Sequence, residues 1–158
     1  MFTKQNGNSV LKILSFLLIL SSMVIFFNGC IGGVGDWEYS LPNDYEIWRV
    51  NSQTVVFGKN EGDHFEQEIE RFVISFCYND RYIGLIRIPM DDIPYNELID
   101  IETMDRSNSE YYLVDSKKDI IYGPYTENEY IKQCNNFGVY DMCEWIETIT
   151  KPENAKYY

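Results

Sequence analysis

The central stretch FVISFCYNDRYIGLIRIP, residues 72–89, constrains the fold more than any other part of the chain. Two runs rich in β-branched and aromatic residues flank Asn79-Asp80, which predicts a β-hairpin closed by a two-residue loop. In the first run, residues 72–78, apolar side chains occupy both alternating sets of positions. A strand of this kind is buried on both faces, and we therefore predict that it is central in its sheet.

Further strand-like runs lie on both sides of this hairpin. Pro42-Asn43-Asp44 has the residue types of a turn and separates two short strands in WEYSLPNDYEIWRV. Asn51-Ser52-Gln53 then separates the second of these strands from TVVF, which suggests a meander. Later in the chain, the polar tip DSKKD separates residues 111–114 from residues 120–122, which predicts another hairpin.

A helix is predicted directly after this last hairpin. Thr126 and Glu129 have the spacing of a capping box, Tyr130 and Cys134 follow on one apolar face, and Gly138 is placed to end the helix. The tail DMCEWIETIT fits either a second helix or an edge strand, and its apolar spacing favours the helix. The sequence therefore predicts an α+β domain, an antiparallel sheet of hairpins with one or two helices on one face, after an N-terminal signal segment.

The beginning of the chain has the pattern of an export signal. Lys4 and Lys12 precede an uncharged apolar run at residues 13–27, and such signals combine a charged region with an apolar one. The run is shorter than the roughly 20 residues that cross a hydrocarbon core, but neighbouring apolar residues bring it close to that length. An uncleaved N-terminal anchor is therefore the alternative to cleavage, and both arrangements place the remaining chain outside the cytoplasm.

The residues after this run, FNGC, resemble the lipobox of bacterial lipoproteins. Gly29 and Cys30 match that pattern, while Phe27 and Asn28 differ from the Leu and the Ala or Ser that it prefers. The resemblance implies that acyl chains on Cys30 hold the protein on the outer face of the cell membrane. It implies three parts: a lipoprotein signal peptide at residues 1–29, the lipidated cysteine with a flexible tether at residues 30–36, and a single extracytoplasmic α+β domain at residues 37–158.

The charge of the chain excludes some classes of partner. The chain has 25 acidic and 13 basic side chains, and removal of residues 1–29 takes away Lys4 and Lys12 but no acid, which leaves a formal net charge of −14. Nucleic acids and anionic headgroups bind through an excess of Lys and Arg, so we predict no nucleic-acid partner. A basic protein partner fits this charge.

Three cysteines follow Cys30 in the sequence. Cys134 and Cys143 are nine residues apart and are a candidate disulfide in an oxidising compartment. Cys77 lies in an apolar run and is predicted to be a small buried residue. No metal site is predicted, because His64 is the single histidine and no C-x-x-C pair is present.

No catalytic or cofactor signature stands out in the sequence. His64 lies in the polar segment KNEGDHFEQE and is predicted to be a solvated loop residue, and no serine lies in a G-x-S-x-G motif. Asp91-Asp92 is the densest acidic pair near a strand end, where such residues more often serve as a charged end or a helix cap. A carboxylate-based glycosidase needs only two suitably spaced acids, so this chemistry stays open.

Two longer stretches, GDWEYSLPNDYEIWRV at residues 35–50 and YYLVDSKKDIIYGPYTENEY at residues 111–130, are similar to small uncharacterised lipoproteins of Gram-positive bacteria. These proteins share a domain of unknown function, and the resemblance covers most of residues 30–137. It implies a lipid-anchored extracytoplasmic protein, and it implies no particular activity.

Two functional hypotheses follow from these observations. The first is a non-enzymatic binding module that presents an acidic, tyrosine-bearing sheet face to a basic protein, since tyrosine is favoured at interfaces. The second is a cell-envelope hydrolase that uses carboxylates in a cleft. A concave pocket with convergent carboxylates favours the hydrolase, and a flat or convex sheet face favours the binding module.

Overall fold

The computed structural model describes residues 36–51, 54–90, 94, 99, 103–139 and 144–157. All of these residues belong to one compact unit, Gly33–Tyr158. The predicted signal segment with Cys30, the Asp91-Asp92 pair and Cys143 lie outside the described residues, so the predictions that concern them stay predictions. Within the described part of the chain, no helix is long and apolar enough to span a membrane.

The described elements are mostly short strands. In chain order they are β1 (Trp37–Ser40), a 3-10 turn (Pro42–Asp44), β2 (Tyr45–Asn51), β3 (Thr54–Asn60), β4 (Phe65–Ile69), β5 (Val73–Tyr78), β6 (Tyr82–Arg87), β7 (Glu110–Asp115), β8 (Ile120–Tyr125), α1 (Glu127–Phe137), β9 (Ile146–Glu147) and β10 (Lys156–Tyr157). The strands form two sheets, sheet A with the order β10-β1-β2-β3-β4 and sheet B with the order β8-β7-β6-β5-β9. Neighbouring strands in both sheets are antiparallel.

The main hydrophobic core lies between the two sheets. Trp37, Ile47 and Phe57 of sheet A are fully buried, and they share one cluster with Phe76 and Leu85 of sheet B. Alternate residues of each strand enter this cluster because side chains on a strand point to opposite faces in turn. The predicted α+β class is confirmed, and the hairpins are divided between two packed sheets.

The chain passes from sheet A to sheet B through a short segment that the sequence analysis did not identify. The polar segment at residues 59–68 includes most of β4, which ends at Ile69 and pairs with β3 so that Ile69 lies opposite Phe57 in the core. Directly afterwards, Phe72 has a φ of 72°, a left-handed conformation that turns the backbone into β5. A charged strand on a sheet edge lacks the apolar alternation that reveals most strands, which is why β4 was missed.

The predicted central strand is confirmed, while its loop differs from the prediction. β5 lies between β6 and β9 and is buried along most of its length. Three residues, Asn79-Asp80-Arg81, separate it from β6, where the sequence predicted two. The Asn79 side-chain oxygen accepts hydrogen bonds from the backbone N–H groups of Arg81 at 2.9 Å and Tyr82 at 2.8 Å. This side-chain turn stabilises the longer loop.

The predicted helix begins and ends where the sequence placed it. The Thr126 hydroxyl accepts a hydrogen bond from the Glu129 N–H, and the Glu129 carboxylate accepts one from the Thr126 N–H, which completes the capping box. Gly138 ends the helix with a φ of 69°.

α1 packs against the outer face of sheet B. Tyr130 and Cys134 are buried against Leu113 of β7 in a second hydrophobic cluster. Gly84 on β6 allows this close approach, because a Cβ atom there would overlap the Tyr130 hydroxyl and lie 2.9 Å from Cys77 Sγ. Cys77 itself is buried, as predicted.

Of the two alternatives for the tail, the described residues 144–150 follow the edge strand and not the helix that the apolar spacing favoured. Ile146 and Glu147 form β9, which pairs with Phe76 and Ser75 of β5. Side chains strengthen this short pairing, since the Ser75 hydroxyl donates to Glu147 Oε1 at 2.8 Å and the Thr148 hydroxyl donates to the Val73 carbonyl at 2.7 Å. The open edge of β5 needs hydrogen-bond partners for its backbone, and this tertiary requirement outweighs the helical spacing of the apolar residues.

Polar side chains join the two sheets at one end of the sandwich. Asn43 has a φ of 60°, and its Nδ2 donates to the Ser116 hydroxyl in the turn between β7 and β8 at 2.7 Å. Asp119 in the same turn accepts hydrogen bonds from Lys59 Nζ at 2.7 Å and from the Tyr45 hydroxyl at 3.3 Å. The turn of sheet B is thus held by three side chains of sheet A.

We expect the stability of the fold to fall at acid pH because of two aspartates in this region. Hydrogen bonds from Arg81 lower the pKa of the buried Asp115, and the hydrogen bond from Lys59 lowers the pKa of Asp119, both below the ordinary value of 3.8. A lowered folded-state pKa gives stability that is present above the unfolded-state value and is lost as the pH falls through the folded-state value. Urea unfolding from neutral pH down to about pH 2 measures this loss, which starts below about pH 5.

The variant Asp115→Asn isolates one of these contributions. It is expected to be less stable than the wild type at neutral pH and to approach the wild type as the pH falls, since protonation removes the same charge from Asp115. Asp63→Asn is the matched control, because the Asp63 side chain is 92% exposed. A difference between Asp115→Asn and the wild type that stays constant down to the lowest pH would contradict the prediction.

Candidate interaction surface on sheet A

The outer face of sheet A carries two stacked aromatic rings. Tyr45 and Ile47 of β2 point into the core, so the alternating residues Glu46 and Trp48 lie on the opposite face. The ring of Trp48 stacks on the ring of Phe65 from β4, with the ring centroids 4.5 Å apart and the planes 19° from parallel. Both residues are partly exposed, and we refer to them as the aromatic pair.

A glycine between the two rings makes this stacking possible. Gly58 lies on β3, the strand between β2 and β4, where it is opposite Glu46 on one side and Gln67 on the other. A Cβ atom on Gly58 would overlap the Glu66 carbonyl oxygen and lie 2.6 Å from Phe65 Cζ. The Phe65 ring therefore occupies the space above a residue without a side chain and reaches Trp48 across the sheet.

The carboxylate of Glu46 lies beside the aromatic pair and is held by two neutral groups. Its Oε2 accepts a hydrogen bond from Trp48 Nε1 at 2.5 Å, and its Oε1 accepts one from Asn60 Nδ2 at 3.1 Å. Glu46 is only 9% exposed. Among the described residues, no lysine, arginine or histidine forms an ion pair with it. Its negative charge is thus fixed in position without a described cation to neutralise it.

Glu46 also forms part of a concave pocket of about 640 Å³, which we call the acidic pocket. The pocket is lined by Ser40, Leu41, Asp44, Tyr45, Glu46, Lys59, Asn60, Glu61 and Gly62. Three of these residues are acidic. The single cation among them, Lys59, is engaged with Asp119 at 2.7 Å and with Glu61 at 3.9 Å. The pocket therefore keeps an excess of negative charge.

Two ionisable groups at the acidic pocket have shifted pKa values, namely Tyr45 in its lining and Asp119, the partner of Lys59. A general acid among carboxylic acids needs a raised pKa. The pKa of Asp119 moves in the opposite direction, because Lys59 donates a hydrogen bond to it, and burial raises the pKa of the Tyr45 hydroxyl, which stays protonated. No group of three or more potential metal ligands is found among the described residues.

The sequence analysis named His64, which directly precedes Phe65 of the aromatic pair, and cysteines that lie elsewhere in the fold or outside the described residues. The His64 side chain is 63% exposed in the turn before β4 and contacts Asp63 at 2.9 Å, which confirms it as a solvated loop residue. Cys134 is buried on the face of α1 that packs against sheet B, while Cys143, its predicted disulfide partner, is outside the described residues. Cys30 is outside them as well, so lipidation and the disulfide both stay predictions.

The sequence analysis expected tyrosines on the binding face, and most of the tyrosines that the structure describes lie in hydrophobic clusters instead. Tyr39, Tyr45 and Tyr112 are in the core between the sheets, and Tyr82 and Tyr130 are in the cluster beneath α1. The aromatic residues on the face are a tryptophan and a phenylalanine. The sequence analysis recognised YEIWRV as a strand but did not assign Glu46 or Trp48 to a surface, and no sequence signal indicated the contribution of the strand that carries Phe65.

The fold and the surface together define an α+β protein in which a two-sheet sandwich carries one described helix on one side and an acidic, aromatic face on the other. The chain belongs to the family described as Protein of unknown function (DUF3997), whose model matches residues 42–148. The matched region includes β2 to β9 and α1, while β1 and β10 of sheet A lie outside it. No curated protein and no solved structure matches the chain.

Proposed function

We propose that this protein is a membrane-anchored extracytoplasmic lipoprotein whose domain binds a basic protein partner without catalysing a reaction. The observation that carries the proposal is the carboxylate of Glu46, which is buried beside the aromatic pair and lacks a described cationic partner. The lipobox-like sequence that ends in Cys30 supports the location. Basic partners are favoured because the chain carries a formal net charge of −12.

The aromatic pair and the acidic pocket serve different parts of such an interaction. Large aromatic side chains contribute much of the energy at the centre of protein interfaces. Acidic groups around them attract a basic surface over a distance, which speeds association and makes it sensitive to salt. Glu46 joins the two features, since it lines the pocket and accepts a hydrogen bond from the indole of Trp48.

The alternative is a cell-envelope hydrolase that uses carboxylates. One observation favours it: Asp44, Glu46 and Glu61 all line the concave acidic pocket. Under this alternative, Glu46→Gln removes a measurable activity on cell-wall glycans or peptides. Under the binding proposal, the wild type and Glu46→Gln are equally inactive on these substrates.

Affinity capture from envelope extracts tests the binding proposal. The full chain in a mild neutral detergent serves as bait at low and at high salt. We expect one basic protein to be retained at low salt and released at high salt, and the double variant Trp48→Ala/Phe65→Ala to weaken its binding at least about tenfold. Ile120→Ala is the control, because Ile120 is an exposed apolar residue on sheet B. If nothing is retained at either salt, or if the double variant binds as well as the wild type, the proposal is wrong.

Detergent partitioning of cells that express the wild type or Cys30→Ser tests the lipid anchor. We expect the wild type to enter the detergent phase at the mass of a cleaved and acylated chain, because two acyl chains give stable membrane binding. The variant Cys30→Ser is expected to keep its signal segment and its precursor mass. A wild-type protein at the unmodified precursor mass would instead indicate an uncleaved N-terminal anchor.

A further inference from the structure

We propose that the group recognised at the aromatic pair is an arginine side chain of the partner, which stacks on the rings and pairs with Glu46. This inference rests on the proposed binding function and makes it more specific, since it names the chemistry of the contact. It is carried by three features of the described residues: the hydrogen bonds of Glu46, the partly exposed rings beside it, and the space in the acidic pocket.

The hydrogen bonds of Glu46 leave its carboxylate available to a further donor. A carboxylate has about four acceptor positions on its two oxygens, and Trp48 Nε1 and Asn60 Nδ2 occupy one position on each oxygen. Both donors are neutral, so they hold the carboxylate in place without neutralising it. A buried charge of this kind is normally paired with an opposite charge, which a cationic side chain of the partner would supply.

The aromatic pair beside Glu46 favours a guanidinium over an ammonium group. A guanidinium is planar and weakly hydrated, so it can stack on a ring while its N–H groups point sideways to a carboxylate. An ammonium group is a compact, strongly hydrated charge, and it gains less from lying on a ring. Trp48 and Phe65 are both partly exposed, and the hydrogen bond between Trp48 and Glu46 places a ring next to the carboxylate.

The acidic pocket gives the site room and additional negative charge. Its volume of about 640 Å³ exceeds what one arginine side chain needs, so neighbouring residues of the partner can enter as well. Asp44 and Glu61 line the same pocket and complement further basic residues of the partner. The expected partner segment therefore carries an arginine for Glu46 and other basic residues close to it.

Nuclear magnetic resonance of the full chain in neutral detergent tests the inference. The chain has three tryptophans, so labelling with ¹⁵N-tryptophan gives three indole signals, and Trp48→Phe assigns the one that belongs to Trp48. Two short peptides that alternate glycine with either arginine or lysine serve as probes. We expect the arginine peptide to shift the Trp48 signal and to bind at least about threefold more tightly than the lysine peptide.

Two variants with the same change in net charge distinguish a specific site from general attraction. Glu46→Gln is expected to weaken the arginine peptide about tenfold or more, since it removes the charged acceptor. Glu68→Gln is the control and is expected to leave the affinity almost unchanged, because Glu68 is an exposed residue of β4. A cooperative thermal unfolding transition shows that Glu46→Gln still folds.

The possible failures of the inference and of the proposed function have different signatures. Equal affinity for both peptides, or equal weakening by Glu46→Gln and Glu68→Gln, overturns the arginine site even if a basic protein is captured through the aromatic pair. Absence of any captured protein overturns the proposed function itself. A Trp48 signal that neither peptide shifts also overturns the arginine site.

Discussion

Replacing Phe57 by alanine is expected to lower the free energy of unfolding by about 3–5 kcal/mol. Phe57 is fully buried at the centre of sheet A, and its ring stacks on Tyr45 with the centroids 5.1 Å apart. Truncation removes this contact together with the packing against sheet B, and it leaves a cavity between the two sheets. The sheets could close this cavity only by shifting from their ideal separation. Urea unfolding of the variant at neutral pH measures the loss.

Phe65→Ala is the control for Phe57→Ala, because it removes the same side chain from the opposite face of the same sheet. Phe65 is partly exposed and contacts mainly Trp48, so its truncation is expected to cost clearly less stability. The comparison separates the structural core from the proposed binding surface. If both variants lowered the free energy of unfolding by the same amount, the outer face of sheet A would have to be buried, and the binding proposal would lose its basis.

Replacing Gly84 by alanine is expected to have the next largest effect, a loss of about 1–3 kcal/mol through overpacking. The added Cβ atom would overlap the Tyr130 hydroxyl, lie 2.9 Å from Cys77 Sγ and lie 3.3 Å from the indole of Trp145. The strand is buried between its neighbours, so α1 has to move outward and its cluster with Leu113 loosens. Thermal unfolding and the near-ultraviolet circular dichroism of the aromatic residues report this change.

The double variant Gly84→Ala/Tyr130→Phe tests the cause of that loss. Tyr130→Phe removes the oxygen atom that the new Cβ would overlap, so Gly84→Ala should cost less in this background than in the wild type. The two changes are in contact, and a coupling of about 1 kcal/mol is expected. If the two changes in the free energy of unfolding were simply additive, the Tyr130 hydroxyl would not pack against Gly84 as described.

The sequence predicted local features well where a few neighbouring residues determine them. The capping box of Thr126 and Glu129, the stop at Gly138 and the turn at residues 42–44 were all recognised from residues that contact each other directly. The apolar run of β5 likewise indicated a strand buried on both faces. Such features depend on backbone conformation and short-range hydrogen bonds, which the sequence specifies locally.

The features that escaped prediction depend on contacts between distant parts of the chain. β9 is a strand because the edge of β5 requires a partner, although residues 141–150 have helical spacing on their own. The aromatic pair joins residues of β2 and β4 across Gly58, and neither ring indicates the other in the sequence. The sequence analysis did not identify Glu46, whose two hydrogen-bond donors are Trp48 on the same strand and Asn60 on β3, which the tertiary structure brings beside it.

The pairing of β1 has a mechanical consequence for a domain on a tether. β1 is the first described strand, and it is hydrogen-bonded to β10 on one side and to β2 on the other. Trp37, its first residue, is fully buried. A force applied through residue 36 must therefore break the hydrogen bonds of β1 to both β10 and β2 and expose the buried indole of Trp37. The end of the domain nearest the predicted anchor thus resists mechanical unfolding.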